Sequence, residues 1–251
     1  MSSTQGAATP LLGLPCAAVS VAQARDFAVD AVASGRFHSV LFANAAKVVM
    51  AESDGPLRDA LHAADLLAAD GQSLVWASRV LGTPLPERVA GIDYMIDLLG
   101  VAEANGWRVF FLGGRDEVLE KVESFCGREH PGLTIAGSRN GYFPPERDAE
   151  IAALVRDSGA DVVFVGMPSP RKELWIVEHG PATGVSLAVA SGGSFDVIAG
   201  AVRRAPQIWQ RAGLEWLWRV VQEPRRLWKR YLVTNSRFLV RVARERLRRA
   251  S

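Results

Sequence analysis

The chain has 251 residues, of which 49% are hydrophobic and 22% charged, and these values are typical of a folded globular protein rather than a disordered one. Its two cysteines, Cys16 and Cys126, lie far apart and outside any CxxC pattern. They argue against a disulfide scaffold or a thiolate zinc site and suit a reducing cytoplasm. The four histidines show no ligand spacing such as HExxH, so we expect no histidine-based metal site.

The N-terminal part of the chain is apolar but does not resemble a targeting segment. No run in the sequence approaches the roughly 18 apolar residues of a membrane-spanning helix. The first apolar stretch has no basic residues ahead of it and is interrupted by Pro10 and Pro15, which argues against a signal peptide. We therefore expect a cytoplasmic protein.

Between residues 36 and 200, short apolar runs alternate with amphipathic helical stretches. The runs predicted to be buried strands are residues 39–43, 66–69, 107–112, 133–136, 161–165 and 187–190. Helical periodicity marks residues 92–104, 117–129 and 151–157. Strands that are apolar throughout and separated by helices are typical of a parallel sheet covered on both faces. We predict an α/β, Rossmann-like domain with a mostly parallel sheet over residues 1–202.

After Gly200 the sequence becomes strongly basic. Residues 203–251 contain thirteen arginines and one lysine against three acidic residues, together with four of the seven tryptophans. We predict a helical appendage that Pro224 divides or kinks. Its pattern is typical of a helix on an anionic membrane surface, but a solvated basic face and nucleic-acid binding by arginine and aromatic residues are alternatives. The acidic character of the preceding residues disfavours an extended nucleic-acid groove.

The carboxyl ends of the predicted strands are where a parallel sheet binds ligands. The residues at these ends are Asn44, Asp70-Gly71, Gly113-Gly114 and Gly192-Gly193. Glycines there let backbone N–H groups approach a pyrophosphate, although each pair alone is also typical of a tight turn. Asp70 is a candidate general base or, alternatively, the N-cap of the next helix. The lack of a GxGxxG motif weakens an alternative interpretation as a nucleotide-cofactor oxidoreductase.

Several longer sequence blocks carry a resemblance to a known family. In chain order they are LAADGQSLVWASRVLGTPLPERVAGIDYM from Leu67, RVFFLGG (108–114), HPGLTIAGSRNGYF (130–143), PRKELWI (170–176), GGSFDVIAG (192–200), RAP (204–206) and GLEWLWRVVQEPRRLWKRY (213–231). In content and order these blocks resemble the WecG/TagA/CpsF family, glycosyltransferase family 26. The resemblance extends from residue 11 to residue 231.

The resemblance implies an inverting, metal-independent glycosyltransferase that needs no cofactor. Its donor would be a UDP-sugar of the N-acetylmannosamine, N-acetylmannosaminuronic acid or glucose type. Its acceptor would be an undecaprenyl-pyrophosphate-linked sugar in teichoic acid, common antigen or exopolysaccharide biosynthesis. The resemblance further implies a peripheral position on the inner face of a bacterial cell membrane, with residues 203–251 as the attachment element. It implies no nucleic-acid partner, and a homo-oligomer is compatible with the exposed tryptophans expected there.

The resemblance also assigns site residues. Asp70 matches the family's catalytic base and Asn44 the asparagine that follows the first strand. The predicted substrate-binding set is completed by Arg88, Gly91, Asp93, Gly113, Gly114, Lys172, Glu173, Gly192, Gly193, Arg219, Arg226 and Arg230. Of these, the last three match appendage arginines that clamp a donor pyrophosphate or an acceptor phosphate. If they do so here, activity should depend on the packing of the appendage against the body.

Two positions depart from the family pattern. Phe42 stands where the family usually has threonine, and Lys172 replaces the glutamine of a Pro-Lys-Gln-Glu block. The second change puts a cation at a place expected to touch the sugars. It therefore admits an anionic sugar on the donor or the acceptor without changing the expected reaction class.

Overall fold

Eight strands form two sheets in a computed structural model, which describes residues 8–211, 213–222 and 224–250. The strands are β1 (Ala8–Leu11), β2 (Leu14–Ala17), β3 (His38–Ala43), β4 (Leu66–Ala69), β5 (Arg108–Gly113), β6 (Thr134–Arg139), β7 (Val162–Gly166) and β8 (Leu187–Ala190). β1 and β2 form an antiparallel hairpin, and the other six form a parallel sheet in the order β4-β3-β8-β7-β5-β6. The predicted parallel α/β fold is confirmed.

Each strand of the larger sheet lies where an apolar run predicts it. The central strands are buried along nearly their whole length, since helices cover both faces. β6, at one edge, is only partly buried. β4, at the other edge, is fully buried, and β2 packs beside it. The small hairpin therefore covers an edge that would otherwise be open to pairing with another chain.

The helices alternate with the strands. They are α1 (Val21–Ser34), α2 (Ala45–Ser53), α3 (Gly55–Ala63), α4 (Gln72–Val80), α5 (Gly91–Asn105), α6 (Asp116–Glu129), α7 (Asp148–Asp157), α8 (Arg171–His179), α9 (Ser194–Ile198), α10 (Gln207–Arg211), α11 (Glu215–Gln222) and α12 (Pro224–Ala250). The three helices predicted by periodicity correspond to α5, α6 and α7. α1 packs with α5, and α3 packs with α8.

The apolar N-terminal stretch, for which no strand was predicted, forms the β1–β2 hairpin. Leu11 and Leu14 are buried, and the turn between them places Leu12 at φ 52° and Gly13 at φ 77°. Positive φ at both central residues is the geometry of a two-residue hairpin turn. The strands were not predicted because each contains a proline, Pro10 or Pro15, and proline is depleted in strands away from sheet edges.

The basic C-terminal residues form helices that contact the body of the protein. α11 ends at Gln222 and α12 begins at Pro224, as the proline predicts. Phe238 of α12 is buried, and Arg241 donates from Nη2 to the carbonyl oxygen of Leu12 at 2.8 Å. No helix in the described ranges is long and apolar enough to cross a membrane. The division into domains at residues 202 and 203 stays a prediction.

Candidate active site

The carboxyl ends of β3 and β4 bring Asn44 and Asp70 side by side. The backbone N–H of Asp70 donates to the carbonyl oxygen of Ala43 at 2.9 Å, which joins the two strand ends. A Cβ atom built on Gly71 would lie 3.3 Å from Cβ of Asn44. Asn44 caps α2, because its Oδ1 accepts from the backbone N–H of Lys47 at 3.0 Å. Even the Cβ atom of an alanine at position 71 would therefore press on Asn44, and glycine avoids this contact.

Asp70 is held by two donors from the segment that follows α4. Its Oδ1 accepts from the backbone N–H of Gly91 at 3.3 Å and from Nη2 of Arg88 at 3.4 Å, while Nε of Arg88 donates to its carbonyl oxygen at 2.6 Å. The side chain is 32% exposed. α4 begins after Gly71 without any side-chain cap, so the alternative role of Asp70 as an N-cap is wrong. The arrangement leaves an oriented carboxylate with access to solvent at the strand tip.

Arg88 also contacts the C-terminal appendage. Its Nη2 donates to Oε2 of Glu215, in α11, at 2.7 Å. Burial opposes the charge of the Arg88 guanidinium, but Asp70 and Glu215 together raise its pKa above the usual value. Glu215 was not predicted as a site residue, although it lies inside the GLEWLW block that contributed to the resemblance.

A buried cluster of charges lies beneath the same edge of the sheet. Oε1 of Glu173 pairs with Nζ of Lys47 at 2.7 Å and with Nζ of Lys172 at 3.0 Å, and it accepts from Oγ of Ser169 at 2.9 Å. The Glu173 side chain has no exposed surface, and the two lysine side chains are 6% and 7% exposed. Two ammonium groups therefore share one carboxylate.

The cluster changes the titration of its members. Burial alone would raise the pKa of Glu173, but the charges of Lys47 and Lys172 lower it to about 2. Burial, followed by repulsion from Lys47, lowers the pKa of Lys172 to about 8 despite the neighbouring Glu173. Lys47 was not predicted as a site residue. Its only sequence signal is that it stands in the apolar run AAKVVMA, three residues after Asn44.

The two predicted glycine pairs differ in what surrounds them. A Cβ atom on Gly113 would lie 2.4 Å from the carbonyl carbon of Gly166, so the missing side chain there permits the ends of β5 and β7 to approach. A Cβ atom built on Gly193 would have no other heavy atom within 4 Å. A Cβ on Gly192 would lie 3.6 Å from Nζ of Lys172, which places the buried cluster directly under this loop. Gly114 has a φ of 67°, which lies in the left-handed region that favours glycine.

Comparison with protein-family models matches residues 9–251 to the Glycosyl transferase WecG/TagA/CpsF family. The chain belongs to this family. The match includes all the strands and helices described above except the first residue of β1, so both the sheet and the appendage are parts of the family's architecture. The protein is therefore a glycosyltransferase, a class of enzyme used in polysaccharide biosynthesis, with a sugar donor and an acceptor as its substrates.

The two departures from the WecG/TagA/CpsF pattern have different surroundings. Phe42 is buried, and its ring packs edge-on against Tyr94 with the ring centroids 5.8 Å apart. The same ring lies 3.5 Å from a Cβ built on Gly91, below the backbone that holds Asp70. Lys172, by contrast, belongs to the charged cluster. The first departure therefore alters the packing under the site, and the second alters its charge.

The remaining predicted residues of the WecG/TagA/CpsF site fall into two groups. Asp93 is half-exposed and pairs with Nη2 of Arg204 at 2.5 Å, which ties α5 to the segment before α10. The side chains of Arg219, Arg226 and Arg230 lie outside the described residues. In the described part of the chain, no group of three His, Cys, Asp or Glu residues is placed to hold a metal ion.

Proposed function

We propose that the protein is an inverting glycosyltransferase that moves a sugar from a UDP-sugar to a polyprenyl-pyrophosphate-linked acceptor. The observation that carries the proposal is Asp70, a partly exposed carboxylate oriented by Arg88 and Gly91 at the carboxyl edge of a parallel sheet. This edge is where such sheets bind nucleotides. A carboxylate in this position is suited to accept the proton of an acceptor hydroxyl.

The transfer is a single displacement at the anomeric carbon. The acceptor oxygen forms a bond to this carbon as the bond to the UDP oxygen breaks, its proton passes to Asp70, and the electron pair leaves with UDP. A carboxylate is a weak base, but it suffices where the proton departs after the bond to the leaving group has lengthened. The configuration at the anomeric carbon inverts because attack and departure occur on opposite faces.

Positive charge on the protein stabilises the departing UDP. We assign this task to Arg219, Arg226 and Arg230, since guanidinium groups bind phosphate oxygens through two parallel hydrogen bonds. Asn44, Gly192 and Gly193 line the same edge and are assigned to substrate binding. The excess positive charge of the Lys47–Glu173–Lys172 cluster favours a donor sugar that carries a carboxylate.

UDP release tests this proposal directly. We expect the purified protein to release UDP from one of three donors, UDP-glucose, UDP-N-acetylmannosamine and UDP-N-acetylmannosaminuronic acid, when a short-chain polyprenyl-pyrophosphate sugar is present. The charge of the cluster favours the third. UDP should also raise the melting temperature, whereas NAD should not. Stabilisation by NAD together with no UDP release from any donor would support the oxidoreductase alternative instead.

We further propose that residues 203–251 attach the enzyme to the cytoplasmic face of the membrane. α12 exposes apolar side chains among its arginines, and these are Leu232, Val233, Leu239, Val240 and Leu247. An interfacial helix is held by two attractions. Its apolar side chains enter the boundary between headgroups and acyl chains, and its arginines bind anionic lipid headgroups. The donor and the lipid-linked acceptor then meet at the membrane surface.

Vesicle sedimentation checks the membrane proposal. We expect binding to vesicles with anionic lipid and little binding to neutral ones. Because each basic residue near such a surface contributes about 1 kcal/mol, the double change Arg237→Gln with Arg244→Gln should weaken binding about tenfold or more. The matched control, Arg36→Gln with Arg128→Gln, removes two exposed arginines from the body. Equal losses from both pairs would show that overall charge, not α12, determines the binding.

A further inference from the structure

One guanidinium nitrogen of Arg88, the arginine that faces the appendage, donates to two carboxylates. Nη2 of Arg88 lies 2.7 Å from Oε2 of Glu215 and 3.4 Å from Oδ1 of Asp70. The shorter contact is the stronger hydrogen bond, and the longer one is close to the limit for such a bond. The guanidinium is therefore drawn closer to Glu215 than to Asp70, and its pairing with the Asp70 carboxylate is the weaker of the two.

The two carboxylates of Asp70 and Glu215 carry more negative charge than the single guanidinium of Arg88 neutralises. The side chains of Asp70, Arg88 and Glu215 are 32%, 18% and 16% exposed, so water screens their interactions only in part. Lys172 of α8 also acts on Asp70 electrostatically. Asp93 of α5 is paired with Arg204 and so adds little net charge. Two carboxylates thus compete for one guanidinium at the strand tip.

We propose that Glu215 is a positioning residue for sugar transfer, which holds Arg88 away from full pairing with Asp70 and so keeps the Asp70 carboxylate available as a proton acceptor. The proposal rests on the proposed function of Asp70. A carboxylate that is fully paired with a guanidinium holds its charge more firmly and is a poorer base. Because Glu215 belongs to α11, the base becomes fully available only when the appendage is packed against the body.

The variants Glu215→Gln and Glu215→Ala test this competition through the pH dependence of transfer. Glu215→Ala removes the competing acceptor and Glu215→Gln removes its charge, so in both variants Arg88 pairs more fully with Asp70. We therefore expect the acid limb of the pH–rate profile to move to lower pH in both variants, since closer pairing with a guanidinium favours the ionised form of a carboxyl group. Turnover at neutral pH should fall about tenfold, because a better-neutralised carboxylate is a weaker general base. Glu87→Gln is the control: Glu87 neighbours Arg88 but accepts from the backbone N–H of Val21 at 2.8 Å.

A second readout does not depend on activity. In protein labelled with ¹³C at the aspartate carboxyls, the Asp70 resonance is identified by its loss in Asp70→Asn, and its titration is followed in the wild type and each Glu215 variant. A lower midpoint in both Glu215 variants, with no change in Glu87→Gln, supports the proposal. An unchanged midpoint overturns it, even where turnover falls, because Glu215 would then act only through stability. Absence of transfer by the wild type with every donor would instead contradict the proposed function.

Discussion

Asp70→Asn is expected to lower kcat for sugar transfer by about 10²- to 10⁴-fold, the contribution typical of a positioned general base. The amide oxygen of asparagine can still accept from Gly91 and Arg88, so the strand tip should keep its shape. What is lost is the site that receives the proton of the acceptor. UDP release measured with saturating donor and acceptor gives kcat, and thermal stabilisation by UDP reports whether the donor site is intact.

Asp65→Asn is a matched control on the same strand. Asp65 directly precedes β4, so it lies at the amino ends of the strands, whereas Asp70 lies at their carboxyl ends. Oδ2 of Asp65 accepts from the backbone N–H of Ser39 at 2.8 Å and from the Oγ of Ser39 at 3.0 Å. Asp65 carries the same charge as Asp70, but parallel sheets bind ligands at the carboxyl ends of their strands and not at the amino ends. We expect Asp65→Asn to retain transfer. Comparable losses of kcat in the two variants, with UDP binding intact, would contradict the role of Asp70 as the base.

The parallel sheet could be predicted from the sequence because its strands are buried on both faces. Such strands read as continuous apolar runs, and the residues that follow them gather at one edge of the sheet. The ends of the apolar runs therefore predict that Asn44 and Asp70 lie at the same edge of the sheet. The β1–β2 hairpin could not be predicted in the same way. Its strands are four residues long and each contains a proline, and the hairpin packs against β4 and α3 and accepts hydrogen bonds from arginines of α12.

The charged parts of the site were harder to predict than the strand tips. Lys47, Ser169 and Glu173 come from α2, the segment before α8 and α8 itself, and only the folded chain brings them into contact. Glu215 is separated from Arg88 by 127 residues. Charges that find partners so distant along the chain leave no periodic pattern. The glycine pairs posed a different difficulty, because Gly113 and Gly193 look alike in sequence but only Gly113 lies against another backbone.

The net charge of the buried Lys47–Glu173–Lys172 cluster bears both on the proposed donor preference and on the stability of the fold. With Lys47 and Lys172 on one carboxylate, the loss of Glu173 leaves two buried cations facing each other. The loss of Lys172 leaves one balanced pair between Lys47 and Glu173. The charge that we propose to favour an anionic donor is therefore the one whose removal the fold should tolerate. The family's usual glutamine at position 172 is consistent with that tolerance.

Glu173→Gln is expected to destabilise the protein by about 3–5 kcal/mol, the cost of breaking a buried ion pair on one side only. Lys172→Gln is the matched control, and we expect it to change the free energy of unfolding by less than about 1 kcal/mol, since a neutral pair remains. Urea unfolding at neutral pH measures both values. If Lys172→Gln were as damaging as Glu173→Gln, packing rather than charge balance would govern the cluster.

The pH dependence of unfolding separates the two residues further. The pKa of Glu173 is lowered from 4.5 to about 2, so its contribution is present above pH 4.5 and is lost as the pH falls towards 2. Glu173→Gln should lack this part of the acid dependence. The pKa of Lys172 is lowered from 10.5 to about 8, so the unfolded chain binds more protons between these values and stability should rise with pH there. Lys172→Gln should remove that rise, and its persistence in the variant would show that another group is responsible.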